Sequence, residues 1–255
     1  MELLDRPIAP DAMADRLDVL AKRYKRAGGP VIQLLNMIGG QADNLLDRLP
    51  PGLRENLGHG TEQALRMAMK MADSSRGVIA DQPEWLTKSV STAMGAAGGF
   101  GGLPTALAEL PVTTTILLHA IQSVAVEHGF DPAEPGVQFD CIQVFAAAGP
   151  LDHDDGVDVA FLTTRLVVTG PTIKSLIAKV APRLATVLGQ KLAAQTVPIL
   201  GAVAGAATNY AYASYYREMA HVHFGLRRLG IEADHDHAAL VEALRQRLEI
   251  KKAEP

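Results

Sequence analysis

The chain has 255 residues, of which 48% are hydrophobic, and a formal net charge of −4. This apolar content suffices for a buried core, while the mildly acidic charge disfavours general binding of nucleic acid. A single cysteine, Cys141, excludes an internal disulfide and a zinc site built from two or four cysteines. The scarcity of cysteine fits a reducing cytoplasm, and the N-terminus shows no pattern of a signal peptide.

Apolar residues recur every three or four positions along most of the chain, which predicts helices. The first helix is expected to be capped by Asp11 and to end before the Gly-Gly-Pro at 28–30. Further helices are predicted at residues 31–49, 61–80, 111–128, 139–148, 159–168, 175–192, 197–229 and 236–251.

These elements predict an all-α fold, a single multi-helix domain in which Gly/Ala-rich apolar helices pack closely. Within it we expect an amphipathic N-terminal helix in residues 1–30, the main helical domain in residues 31–230, and an amphipathic helix and tail in residues 231–255.

The stretch GAAGGFGGLPTALAELP, at residues 95–111, is dense in glycine. It does not fit a dinucleotide-binding loop, because Gly99 and Gly101 are followed by Pro104 where the third glycine should stand, and no strand is predicted before it. It also lacks the Gly-Lys-Ser/Thr ending of a Walker loop. We therefore interpret it as a flexible, small-residue entry to the helix at 111–128.

Patterns of known catalytic and metal sites are also missing from the sequence, which has no G-x-S-x-G and no H-E-x-x-H. The acidic loop LDHDDGVD at 151–158 lacks the spacing of a calcium loop. The histidine pairs at 221 and 223 and at 235 and 237 are two residues apart, so their side chains point in different directions on a helix. A buried structural role is expected for Cys141 rather than a thiol–imidazole pair with His119. No cofactor or metal is predicted.

Two long stretches are almost free of charge, since residues 89–126 contain only Glu109 and residues 192–216 contain none. Each reaches the roughly 20 residues that cross a bilayer. Alanine and glycine contribute little to insertion, however, and Pro198 and Asn209 oppose it. We predict that neither stretch is a stable transmembrane span. Either stretch could still contact a membrane reversibly.

Small residues at four-residue spacing let helices approach closely, in membranes and in soluble cores. We expect the two glycine-rich segments to pack on each other or to contact a membrane, through Gly98, Gly99, Gly101, Gly102, Gly201 and Gly205. The tyrosines at 210, 212, 215 and 216 precede Arg217, which is typical of an interfacial belt or of buried tyrosines with hydrogen-bond partners. The basic cluster of Lys22, Arg23, Lys25 and Arg26 suits a helix C-terminus, and such clusters also attract anionic lipid.

Two blocks resemble the EcsC family: GGFGGLPTALAELPVTTTILLHAIQSVAVEHGFDP at 98–132, and KLAAQTVPILGAVAGAATNYAYASYYREMAHVHFGLRRL at 191–229. The resemblance extends over roughly residues 31–229, although His128 stands where an aromatic or polar residue is common. The family is named for a bacterial gene beside an ABC transporter and is linked with secretion. The resemblance implies a membrane-associated helical protein and supplies no catalytic residues.

We therefore predict a protein without established catalysis that associates with the cytoplasmic face of the membrane and binds lipid or a membrane partner, such as an ABC transporter. The alternative is a hydrolase or lipid-modifying enzyme that uses polar groups within the helical core. Polar side chains in apolar helices are costly unless paired, so some of them are expected to converge on a site. The candidate ligand-binding residues are His119, Gln122, Lys191, Asn209, Tyr212 and Arg217.

Overall fold

The computed structural model describes residues 8–28, 102–146 and 201–250, together with short helical pieces at 51, 58–59, 61–63, 65–66, 92–93, 162, 177–178 and 181. In this described part every regular element is an α-helix, so the predicted all-α fold is confirmed. The five helices are α1 (Pro10–Ala27), α2 (Gly102–Glu127), α3 (Pro135–Ala146), α4 (Gly201–Ala233) and α5 (His237–Ile250).

The start of α1 differs from the prediction, because the N-cap residue is Ala9 and no side chain caps the helix. Pro10 opens the helix instead, and its fixed φ and missing N–H suit that position. Asp11 lies in the first turn, where its carboxylate interacts favourably with the positive end of the helix dipole. At α5, Asp236 precedes the helix and its carboxylate accepts a hydrogen bond from the backbone N–H of Ala239 at 2.9 Å.

Helix α2 begins nine residues earlier than predicted, at Gly102 rather than at residue 111. The prolines that suggested a later start are compatible with the longer helix. Pro104 lies in the first turn, where backbone N–H groups have no partner within the helix. Pro111 has no backbone N–H, so it removes one hydrogen bond from the backbone of α2 while the helix continues past it. The last ten residues of the glycine-rich stretch are therefore helical, and they are not a flexible entry to the helix.

Several predicted elements lie wholly or mostly outside the described residues. These are the helices at 31–49, 61–80, 159–168 and 175–192, the start of the helix at 197–229, and the acidic loop at 151–158. The packing of residues 98–101 against residues 201–205 also stays a prediction, because the first of these segments is not described.

One core cluster joins α2, α3 and the first two thirds of α4. Buried side chains at residues 117–125 of α2 lie in the same cluster as Ile142 and Phe145 of α3 and residues 212–224 of α4. Phe145 packs on Tyr216 with a ring-centroid distance of 5.0 Å, and Asp140 of α3 contacts Arg227. Because later residues of α3 meet earlier residues of α4, the two helices are antiparallel.

A second core cluster joins α1, the last third of α4 and α5. Leu17 and Leu20 of α1 pack there with Val222, Leu226 and Leu229 of α4, and α5 contributes residues 240, 241, 244 and 248. Ion pairs join Arg16 to Glu232 and Arg23 to Glu218. These contacts show that α1 runs antiparallel to α4 and that its C-terminal turn lies level with residue 218.

Helices α1 and α4 pack closely at Gly225. A Cβ atom there would lie 2.6 Å from Cδ2 of Leu20, a side chain that is itself buried in the second core. The absence of a side chain at this position therefore lets the two helices pack at this distance.

We predict that Gly225→Leu lowers the free energy of unfolding by about 1–3 kcal/mol, because added carbon atoms force Leu20 and its neighbours apart. Urea denaturation measures the change. The matched control is Gly136→Leu in α3, where a Cβ would meet no atom within 4 Å and where helix propensity favours leucine. Equal effects of the two substitutions would contradict the close approach.

Candidate functional site

The structure describes five of the six candidate ligand-binding residues, and Lys191 lies outside the described part. Gln122 and Asn209 are fully buried, Tyr212 is 1% exposed, and His119 is half-buried. Tyr212 belongs to the core that α2 shares with α4. Because Gln122, Asn209 and Tyr212 are inaccessible to solvent, a dissolved ligand could not contact them in this conformation. Their role in ligand binding therefore stays a prediction.

The four tyrosines of α4, at residues 210, 212, 215 and 216, divide between the core and the surface. Tyr212 and Tyr216 are buried with a ring-centroid distance of 6.1 Å, and Tyr215 packs partly buried against Tyr216. Tyr210 is 41% exposed. The tyrosines therefore supply core packing and one surface ring, and their role as an interfacial belt stays a prediction.

Arg217 takes part in a polar network where α2 ends beside α4. Its guanidinium donates a hydrogen bond to the carboxylate of Glu127, the last residue of α2, at 2.7 Å. One residue further along α4, Glu218 pairs with Arg23 of α1 at 3.0 Å. Three helices are thus joined by ion pairs at a single level of the molecule.

Two histidines complete this network. Nε2 of His128 and Nδ1 of His221 are 3.2 Å apart, a hydrogen bond in which the tautomers decide which nitrogen donates. The other ring nitrogen of His221 lies 3.7 Å from the carboxylate of Glu127. Since Arg217 and His221 are four residues apart on α4, they share one face and both meet the end of α2.

Burial and positive charge keep these imidazoles neutral. Desolvation is the main cause that lowers the pKa of His221, to about 3, and the charges of Arg23 and Arg217 add to it. Desolvation also lowers the pKa of His128, against the opposing charge of Glu127. At neutral pH the pair is therefore uncharged, and acid is expected to disrupt it.

A second polar cluster lies on another face of α4 and joins it to α3. Asp140 lies 2.5 Å from Arg227 and 3.3 Å from Nε2 of His223. Burial raises the pKa of Asp140, but the hydrogen bond and charge of His223 and the charge of Arg227 outweigh it, so the pKa is lowered. The guanidinium of Arg227 also lies 4.4 Å from the centroid of the Phe130 ring. The expectation that His221 and His223 point in different directions is confirmed.

The cysteine and the remaining histidines have separate environments. Cys141 is fully buried in the core of α2, α3 and α4, as expected for a structural cysteine. His237 is buried and hydrogen-bonded to the carbonyl of Leu162 at 2.8 Å, whereas His235 is exposed. Within the described residues, no three His, Cys, Asp or Glu side chains form a group that could hold a metal ion.

In α2 and α4 the charged residues end at the level of the Glu127–Arg217 pair, whereas in α3 they end at Asp140, which pairs with Arg227 further along α4. Residues 112–126 of α2, 141–146 of α3 and 201–216 of α4 contain no Asp, Glu, Lys or Arg, and we call these segments the charge-free region. The core cluster places their buried residues together. Glu109, one turn before the charge-free region, is the only charged residue of α2 besides Glu127.

In the described part of the chain, the charge-free region also carries most of the large apolar side chains that reach the surface. Five such side chains in the described part are strongly exposed, and three of them, Val112, Val126 and Tyr210, lie in this region. The other two, Val19 and Ile231, lie on the charged side of the boundary. Among the helices that the structure describes, none has the length and hydropathy to cross a bilayer.

A family model described as the EcsC protein family matches residues 74–229, more than half of the chain. The chain belongs to the EcsC family. The matched segment includes α2, α3 and α4 up to Leu229, and thus the charge-free region and both polar clusters of this EcsC protein except Arg23 of α1. No curated protein and no solved structure matches the chain. The domain boundaries at residues 30 and 230 stay a prediction.

Sequence reasoning found Arg217 but missed its partners. The four-residue spacings of Arg217 with His221 and of His223 with Arg227 indicate two polar pairs on two faces of α4. Glu127 and Asp140, however, are about 90 residues away in the chain. Periodicity along α4 could have identified the pairs, whereas their partners required the packing of α2 and α3.

We predict that this protein loses stability as the pH falls below about 6.5, the usual pKa of histidine. The folded state holds the pKa of His221 near 3, so between these values the unfolded chain binds a proton that the folded chain does not. In His221→Gln the loss of stability with acid should be shallower. The measurement is the urea midpoint as a function of pH.

The control for the histidine test is His235→Gln, since the imidazole of His235 is exposed in the turn before α5. It should leave the pH dependence as in the native protein. A native urea midpoint that does not change between about pH 7 and pH 5 would contradict the buried neutral pair.

We predict that Asp140→Asn lowers the free energy of unfolding by about 2–3 kcal/mol, because it removes a charged acceptor from Arg227 and His223 in a largely buried setting. Glu249→Gln on α5 is the control, because its partner Arg245 is exposed and also pairs with Glu242. The control should change thermal melting little. A similarly small effect of Asp140→Asn would argue against a stabilising role of the second polar cluster.

Proposed function

We propose that this EcsC protein associates with the cytoplasmic face of the membrane as a peripheral helical protein and that the charge-free region contacts lipid. The observation that carries the proposal is the common level at which the charged residues of α2 and α4 end, with the uncharged end of α3 packed on α4 through Phe145 and Tyr216. A bilayer interior disfavours charged groups by several kcal/mol, so a region without charges beside a charged one suits an interface between lipid and water.

The surface of the charge-free region supports the proposal. Val112 is 43% exposed and Tyr210 is 41% exposed, so both offer apolar surface that lipid could cover. Tyrosine suits the interface because its ring is apolar and its hydroxyl is polar. At the boundary of the charge-free region, Glu127 and Arg217 form an ion pair and so neutralise each other.

The extent of the charge-free region indicates shallow contact. In α4 it runs from residue 201 to residue 216, about 24 Å at the rise of an α-helix. Much of this length is occupied by core packing, since Tyr212, Ala213 and Tyr216 are buried. We therefore propose contact through exposed side chains of α2 and α4 rather than insertion of whole helices.

The alternative of a hydrolase or lipid-modifying enzyme gains no support from the described residues. Gln122, Asn209 and Tyr212 are buried among core side chains, and Arg217 is engaged with Glu127.

A membrane protein such as an ABC transporter offers an apolar surface similar to that of lipid. Vesicles of pure lipid separate these two partners.

We predict that the purified protein floats with liposomes and that Val112→Glu and Tyr210→Glu each reduce the bound fraction. A carboxylate in the contact surface must be desolvated, which costs about 1–3 kcal/mol and lowers affinity by about 5- to 150-fold. The fraction of protein in the floating layer measures the effect.

The matched control is Ile231→Glu, which adds the same charge at an exposed apolar residue of α4 on the charged side of the boundary. It should leave flotation unchanged, and circular dichroism should show all three variants folded. Recovery of the native protein in the soluble fraction with every lipid composition would refute the proposed function.

A further inference from the structure

We infer that the exposed basic face at the end of α1, formed by Lys22, Lys25 and Arg26, is a docking surface for the headgroups of anionic phospholipids. The inference rests on the proposed function and adds to it the class of lipid and the residues that select it. Its basis is the position of these cations beside the charge boundary of the other helices.

The register of α1 against α4 sets this position. Arg16 contacts Glu232, Leu20 faces Gly225, and Arg23 contacts Glu218, so successive turns of α1 meet progressively earlier turns of α4. The last turn of α1 therefore lies beside the turn of α4 that precedes Arg217. Ala27 accordingly belongs to the core of α2, α3 and α4 rather than to the core of α5.

The three cations share one face of α1 and point to solvent. Residues spaced by three and four positions lie on one side of a helix, which places Lys22, Lys25 and Arg26 together. All three are exposed, whereas Leu20, Ala21 and Ala27 between and beside them are buried. The basic face is thus turned away from the core, next to the level where the charge-free region begins.

These cations are also available for a partner. In the described part of the chain, α1 makes its ion pairs through Arg16, Asp18 and Arg23, and none involves Lys22, Lys25 or Arg26. Cations in the last turn favour the helix dipole, but like charges at these spacings repel one another. A layer of anionic headgroups would relieve the repulsion and retain the favourable dipole interaction.

The chemistry favours a membrane surface over a soluble anion. The whole chain carries a net charge of −4, so attraction to an anionic surface must come from a local group of cations rather than from the protein as a whole. A protein whose charge-free region contacts lipid holds these cations at the depth of the headgroups, where each Lys or Arg strengthens binding about fivefold.

The test compares binding of the native protein with that of the triple variant Lys22→Gln/Lys25→Gln/Arg26→Gln. The probes are vesicles of phosphatidylcholine alone and vesicles that also contain phosphatidylglycerol. We expect the native protein to bind the anionic vesicles more tightly, and this preference to weaken as salt is raised. The triple variant should lose on the order of 100-fold in affinity for anionic vesicles and keep its affinity for neutral ones.

The matched control is Ile231→Glu/Ala238→Glu/Ala239→Glu, which places three new carboxylates at exposed positions far from the boundary. Removal of three cations and addition of three anions each change the formal charge from −4 to −7. The control should therefore show only the small effect of net charge. Thermal melting of each variant verifies that it is folded.

Two outcomes would overturn the inference while the proposed function stands. One is equal binding of the native protein to neutral and anionic vesicles, and the other is an equal loss of binding in the triple variant and in the control. Binding to native membranes but to no pure lipid vesicle would instead point to a protein partner, and it would refute the inference and lipid contact together.

Discussion

Helix α4 contributes buried side chains to two different cores along its 33 residues, and the positions of the other described helices follow from this constraint. Toward its N-terminus it buries Tyr212, Tyr216 and Ala220 against α2 and α3, and toward its C-terminus it buries Val222, Leu226 and Leu229 against α1 and α5. Because the second set follows helical spacing on a separate face, α1 and α5 can pack on α4 without displacing α3. Gly225 permits the close contact of α4 with Leu20 of α1.

The polar clusters lie where α4 passes from one core to the other. Carboxylates and imidazoles are costly to bury without a partner, and Asp140, His221 and His223 are the largely buried members of these clusters. Glu127 and Asp140 both find their partners on α4 between residues 217 and 227, on two faces of the helix. Ionised groups are thus concentrated at and beyond this level, which leaves the charge-free region on the other side. The proposed membrane contact depends on this separation of charge.

The existence of the described helices followed from apolar periodicity, while their ends depended on details that periodicity does not report. The proline at 111 suggested a helix start, yet one missing hydrogen bond does not interrupt α2, whose other backbone groups remain paired. Asp11 suggested a cap, yet Pro10 already supplies a suitable first residue. The opposite orientation of His221 and His223 was predictable, because it depends only on helix geometry.

The sequence by itself determined the helical class, the uncharged stretches and the resemblance to the EcsC family, because these are properties of composition, spacing and motif. Only the tertiary structure decided that the uncharged parts of α2 and α4 begin at one level, that Gln122, Asn209 and Tyr212 are buried, and that Glu127 is the partner of Arg217. The physical reason is that the direction and register of one helix against another are set by contacts between side chains about 90 residues apart in the chain, such as those of Glu127 with Arg217 and of Asp140 with Arg227. The spacing of apolar residues along one helix shows which face can be buried, but it does not show which other helix will cover that face.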